Sequence, residues 1–130
     1  IADTGVPSRT RDSVAQVRRG WEATPDRYER LFDEIGAAVD TAQAAIARGD
    51  LDALGMLMNR NQRLLQELGV SSPELDRLVD AALRAGALGA KLSGGGKGGC
   101  MIALIGAAEA QIVTALLLAG AQRVFSTIVR

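Results

Sequence analysis

Apolar residues recur every three or four positions from Tyr28 to Leu83, and every second position in short stretches after that. The first period is that of helices with one buried face, the second that of strands. The longest helical run holds Tyr28, Leu31, Phe32, Ile35, Val39, Ala42 and Ile46. Thr24-Pro25-Asp26 opens it with a cap, a proline in the first turn and an acid, and Gly49 stops it. Asp50 caps a third helix, with Leu51, Leu54, Met58, Leu65 and Leu68 inward and Gly69 at its end. Asn59, Asn61 and Gln62 interrupt its apolar face, either as an interior hydrogen-bonding cluster or as exposed groups. Ser72-Pro73-Glu74 opens a fourth helix, which Gly86 closes. An earlier, shorter helix carries Val14 and Val17 on one face and ends near Gly20. Ser8 or Thr10 can cap it; a helix N-terminus also favours anions, which leaves Thr10 a second role.

The strands flank these helices. Ile1 to Val6 reads as the tail of a strand running into a turn at Gly5. Leu88, Ala90 and Leu92 alternate with Gly89, Lys91 and Ser93 as a half-buried strand. The apolar run Cys100 to Ile105 reads as a short buried strand. A helix from about Ala107 to Leu118 follows, ended by Gly120, and Gln122 to Arg130 alternates as a last strand. The order is strand, four helices, two strands, helix, strand. That predicts an α+β fold: an antiparallel sheet of about four strands with helices packed on one face.

At 130 residues the chain is long enough for one domain with a real core. Aromatics make up only 3%, so that core is built from Leu, Ala, Val, Ile and Met. The formal charge is zero but divided: residues 1–80 carry 10 basic and 14 acidic side chains, residues 81–130 carry 5 and 1. The basic half favours an anionic ligand, but its charges are too sparse, and aromatics too few, for a nucleic-acid surface. There is no histidine, and the single Cys100 lies in an apolar strand as a small core residue. An internal disulfide, multi-cysteine metal sites and histidine triads are thereby excluded. One cysteine fits a reducing, cytoplasmic compartment. No apolar run approaches the ~20 residues of a membrane span. The helical carboxylates Asp33, Glu34, Asp40, Asp52, Asp76 and Asp80 read as solvated faces. The start at Ile1, inside an apparent strand, predicts a piece of something longer.

The densest chemistry lies between the two middle strands. Five of the six positions from Gly94 to Gly99 are glycine, and the sixth is Lys97. Such a loop can turn its N–H groups onto a small anion, and one ammonium adds a point charge suited to phosphate. Gly94, Gly96 and Gly99 satisfy the spacing of a dinucleotide fingerprint, but a strand follows where that motif needs a helix. Gly96-Lys97 is followed by Gly98 rather than Ser or Thr, which rejects a Walker A loop. Local composition leaves two readings open, a ligand-free hairpin and a phosphate-contacting loop.

Lys91-Leu92-Ser93-Gly94-Gly95-Gly96-Lys97-Gly98-Gly99-Cys100 resembles the third conserved motif of the GHMP kinase superfamily. Within it the segment is most similar to the mevalonate kinase family, whose motif reads close to K-L-T-G-A-G-G-G-G-C. Val6-Pro7-x-x-Thr10, then Val14 and Val17-Arg18, resembles that family's V-P-x-x-T segment. Leu68-Gly69-Val70-Ser71 with Leu75-Asp76 is similar to its L-G-V-S-x-x-x-L-D stretch, and Gly120-Ala121 with Val124-Phe125 to its closing strand.

The resemblance implies that residues 1–130 form a ferredoxin-like C-terminal domain. The N-terminal half, with the main phosphate loop and the catalytic Asp and Lys, is absent from the sequence. It implies transfer of the γ-phosphoryl group of ATP to the 5-hydroxyl of mevalonate, with Mg²⁺, both held mainly by the missing half, so that this chain alone is inactive and contributes no catalytic residue. Gly94, Gly95, Gly96, Gly98 and Gly99 would form the nucleotide-side loop, with Lys97 either approaching phosphate oxygens or pointing to water. Thr10 and Ser93 would stand on the substrate side. Gly95 replaces a frequent alanine, and Lys97 a frequent Gly or Arg. The alternatives are a non-catalytic ferredoxin-like module that binds a small ligand or drives assembly, and half of a phosphomevalonate or homoserine kinase. An excised domain would also expose the apolar face that meets its partner, and so could form a homodimer.

Overall fold

The computed structural model describes residues 1–128. The elements run β1 (Ala2–Asp3), α1 (Thr10–Ala23), α2 (Pro25–Arg48), α3 (Leu51–Glu67), α4 (Pro73–Arg84), β2 (Gly89–Ser93), β3 (Cys100–Leu104), α5 (Glu109–Leu118) and β4 (Arg123–Val124). The four strands form one antiparallel sheet in the order β2-β3-β1-β4. This is the expected α+β architecture. The βαββαβ core of a ferredoxin-like fold is present, with three extra helices ahead of α4.

The core forms where α4 and α5 lie on one face of the sheet. Leu75, Leu78, Val79 and Ala82 of α4 and Ile112 and Leu116 of α5 meet Ala2, Ala90, Leu92 and Met101 of the strands. Each fully buried leucine or isoleucine stabilises the fold by about 1.5–3 kcal/mol relative to exposure. The opposite faces of β2 and β3 are less covered. Cys100, Ile102 and Leu104 are only half-buried, so the expected buried strand is buried on one side alone. The last strand is also shorter than its alternation suggests. Pairing runs through Arg123 and Val124 and one residue further, where Phe125 and Ile1 exchange two hydrogen bonds of 2.8 Å. Val129 and Arg130 lie outside the described residues.

Two helices differ from their apolar pattern. α1 does not stop at Gly20 but runs on to Ala23; the glycine makes room for the Tyr28 ring, since a Cβ there would stand 2.0 Å from the Tyr28 hydroxyl oxygen. In α2 the buried residues are Leu31, Ala38 and Ala45, while Phe32, Val39 and Ile46 are 39%, 50% and 64% exposed. Small residues let α2 approach α3 closely, and this wins over the larger residues one position on.

β2 is an edge strand, and α3 closes that edge with side chains. Gly55 brings the helix against the strand; a Cβ there would stand 2.4 Å from the Leu88 carbonyl oxygen. One turn on, Asn59 Oδ1 accepts from the Ala90 N–H at 2.9 Å. Gln62 Oε1 accepts from the buried Leu92 N–H at 2.8 Å. The spacing places all three residues on one helical face. They satisfy backbone groups that an edge strand otherwise leaves to water or to another chain. Asn59 and Gln62 are therefore an interior hydrogen-bonding cluster.

Candidate functional site

The glycine loop, residues 94–99, joins β2 to β3 and is wedged between two other segments. On one side the Lys97 N–H donates to the Val70 carbonyl at 2.8 Å. Gly96 lies at φ +76°, and a Cβ there would stand 2.0 Å from the same oxygen, so only glycine fits. On the other side the Gly99 N–H donates to the Val6 carbonyl at 2.7 Å. The Gly99 carbonyl accepts from the Thr4 N–H at 2.9 Å and its hydroxyl at 2.8 Å. Ser8 Oγ donates to the Gly96 carbonyl at 2.9 Å.

Ser8 is thus a loop anchor and not a helix cap, and no side chain caps α1 at its N-cap residue Arg9. Thr10 is the first helical residue, and its side chain lies over Gly95. The V-P-x-x-T segment, the glycine loop and the L-G-V-S turn come together at one end of the sheet. Ser93 sits beside them at the exposed end of β2, paired in register with Cys100.

Most of the loop's N–H groups are unpaired; Gly94 is exposed, Gly95 half-buried, and Gly96 and Gly98 buried. Those of Gly94, Gly95, Gly96 and Gly98 find no acceptor among the described residues. The N–H groups of Thr10 and Arg11, in the uncapped first turn of α1, find none either. Unspent donors and a helix N-terminus at one corner suit the oxygens of a phosphate.

Lys97 is half-buried and held by the protein. It lies at φ +53°, and its ammonium donates to Oε1 of Gln16 in α1. Gln16 Nε2 in turn donates to the Gly69 carbonyl at 3.2 Å. Nothing in the sequence marked Gln16, whose partners lie 53 and 81 residues away.

The L-G-V-S-x-x-x-L-D stretch has a structural role. Asp76 Oδ1 accepts from Ser71 Oγ at 2.6 Å, Gln66 Nε2 at 2.8 Å and Gln62 Nε2 at 3.1 Å. Asp76 is therefore not a solvated-face carboxylate. It ties the turn carrying Val70 to the glutamine that locks β2. Ser13, one turn beyond Thr10, is buried with a hydroxyl that has no partner among the described residues.

Two surface recesses lie elsewhere. One lies against α3 and α4 near Asn59, Gln62 and Asp80, and the other between α2 and α3, ending at Lys91. Burial pushes the Lys91 ammonium below the usual lysine range. Neither recess includes the glycine loop. Among the described residues no group of three or more acids or cysteines could hold a metal ion. No helix is long and apolar enough to cross a membrane.

A family model described as GHMP kinases C terminal matches residues 42–121. The chain belongs to that family. This GHMP kinase domain is 43% identical over 126 residues to the mevalonate kinase of Pyrococcus abyssi (strain GE5 / Orsay), a match covering 92% of this chain and 37% of the relative. The mevalonate kinase of Thermococcus sibiricus (strain DSM 12597 / MM 739) is 39% identical over 135 residues, covering 100% of this chain and 40% of that one. Among solved structures, L. major mevalonate kinase in complex with R-mevalonate superposes with a TM-score of 0.90 at 35% identity, covering 95% of this chain and 39% of that one. The GHMP kinase domain thus spans about two fifths of the length of the relatives it matches.

Proposed function

We propose that this chain is the C-terminal part of an ATP-dependent mevalonate kinase, incomplete without an N-terminal part. The observation that carries the reading is the glycine loop, in which the N–H groups of Gly94, Gly95, Gly96 and Gly98 lack acceptors among the described residues and Gly95 packs against Thr10. The curated mevalonate kinases that align with nearly the whole chain support the choice of substrate.

In this reading the glycine loop and Lys97 face the phosphate end of a cleft, and Thr10 and Ser93 face mevalonate. The γ-phosphoryl group passes from ATP to the 5-hydroxyl of mevalonate, an isoprenoid precursor. Such a transfer needs alignment and stabilisation of spreading negative charge more than covalent help from the protein. Fixed N–H donors provide that stabilisation without reorganising. Their positions are set by the backbone bonds to Val70 and Val6.

Mg²⁺ does not fit the residues described, and we assign it, with the catalytic base, to the N-terminal part. The test combines this chain with the N-terminal part of its own polypeptide and follows ADP release. Release that requires mevalonate is expected from the pair and not from this chain alone. Turnover by this chain alone, or a pair that phosphorylates only another hydroxyl substrate, would overturn the proposal.

A further inference from the structure

Lys97 occupies a backbone conformation that disfavours every residue but glycine, at φ +53°. Its backbone N–H is bonded to Val70, and its ammonium to the amide oxygen of Gln16. None of the ion pairs among the described residues includes it. The orientation of the Gln16 amide follows from its partners. Lysine only donates and the Gly69 carbonyl only accepts, so Oε1 faces Lys97 and Nε2 faces Gly69.

An amide oxygen fixes an ammonium without cancelling its charge. A carboxylate there would hold Lys97 more firmly and neutralise it. We infer that Gln16 is a positioning residue that holds Lys97 beside the glycine loop as an uncompensated cation for the β- and γ-phosphates of the nucleotide. The inference rests on the nucleotide-side reading of the loop proposed above, and it assigns Gln16 the task of aiming the charge.

A structural staple and a positioned charge respond oppositely to one substitution. Gln16→Glu keeps an acceptor for Lys97 but removes the net charge. The complete protein is compared with its Gln16→Glu, Gln16→Met and Lys97→Met variants. Titration calorimetry measures the Kd for ATP and for AMP, which lacks the two outer phosphates, and melting temperature reports folding.

Lys97→Met and Gln16→Glu are expected to weaken ATP binding about tenfold while AMP binding holds within about twofold. Gln16→Met, which leaves the cation in place but untethered, is expected to fall between them and the wild type. Gln16→Glu binding ATP as tightly as wild type would overturn the inference. So would variants that lose ATP and AMP binding alike, in step with melting temperature, since that marks a staple only. A wild-type protein that binds ATP but does not phosphorylate mevalonate would sink the proposed substrate and leave these comparisons readable. A wild-type protein that does not bind ATP would overturn both.

Discussion

The Thr10 hydroxyl lies so close over Gly95 that a Cβ on that glycine would stand 2.4 Å from Oγ1. The neighbouring Cβ and Cγ2 of Thr10 would lie at 2.9 and 3.0 Å, so the whole side chain would have to move. The loop and the first turn of α1 are therefore one packed unit. In the complete kinase, Gly95→Ala should turn Thr10 aside and raise the KM for mevalonate only about threefold, since alanine is frequent at this position of the motif. Thr10→Ser, which removes Cγ2, should recover part of that loss in the double variant, with a coupling of about 0.5 kcal/mol. Steady-state kinetics on the four proteins reads this directly, and strictly additive effects would deny the contact any role.

Neighbouring glycines of the loop should respond very differently to alanine. Gly94 has positive φ but nothing within 4 Å of its would-be Cβ, whereas Gly96 meets the Val70 carbonyl at 2.0 Å. Gly94→Ala should cost about 1–2 kcal/mol, the strain of the backbone alone. Gly96→Ala should cost more, roughly 3 kcal/mol or above, because the loop must also leave Val70. Urea denaturation of both variants gives the comparison, and equal losses would contradict the wedged geometry.

Gln62 should be a larger contributor to stability than its residue type suggests. Gln62→Met leaves the buried Leu92 N–H without an acceptor and removes a donor from Asp76. A loss of roughly 2–4 kcal/mol is expected, with faster amide exchange at Leu92 than at Met101. Gln62→Glu keeps the acceptor but sets a second carboxylate beside Asp76.

How much of this was legible beforehand differs by element. Caps and stops placed the helices well, since Asp50, Ser72 and Gly49 act locally and each holds its expected place. The buried side of α2 was not legible. Apolar residues cover most of its circumference, so the choice of Ala38 and Ala45 over Val39 and Ile46 came from packing against α3. The three motif segments, with Thr10, the glycines and the turn at Val70, meet in the fold, though their contacts were not legible in the sequence. The partners of Ser8, Gln62 and Lys97 were out of reach, because each bond joins segments about 30 to 90 residues apart.

Lys91 should make the fold weaker at neutral pH than an apolar residue of its length would. Its ammonium is half-buried and donates only to the Leu92 carbonyl, at 2.8 Å, and burial lowers its pKa below 10.5. The unfolded chain therefore binds the proton more tightly than the folded one. Stability should rise as pH climbs through the lowered folded value toward the unfolded one, and be smaller below both. Lys91→Met should raise the melting temperature at pH 7 by a few degrees, about 1 kcal/mol or less, and flatten that rise. Melting curves between pH 7 and pH 10 supply the test; a drop on substitution would show that the amine has a stabilising partner.

The loop amides report most directly on whether these glycines cradle a nucleotide's phosphates. In the ¹⁵N-labelled complete kinase, ATP should shift the signals of Gly94, Gly95, Gly96 and Gly98, whose N–H groups have no acceptor among the described residues, while AMP leaves them nearly still. Lys97 and Gly99, already bonded to Val70 and Val6, should move far less. A loop whose four free amides stay unmoved at saturating ATP, in an enzyme that still phosphorylates mevalonate, would contradict the account.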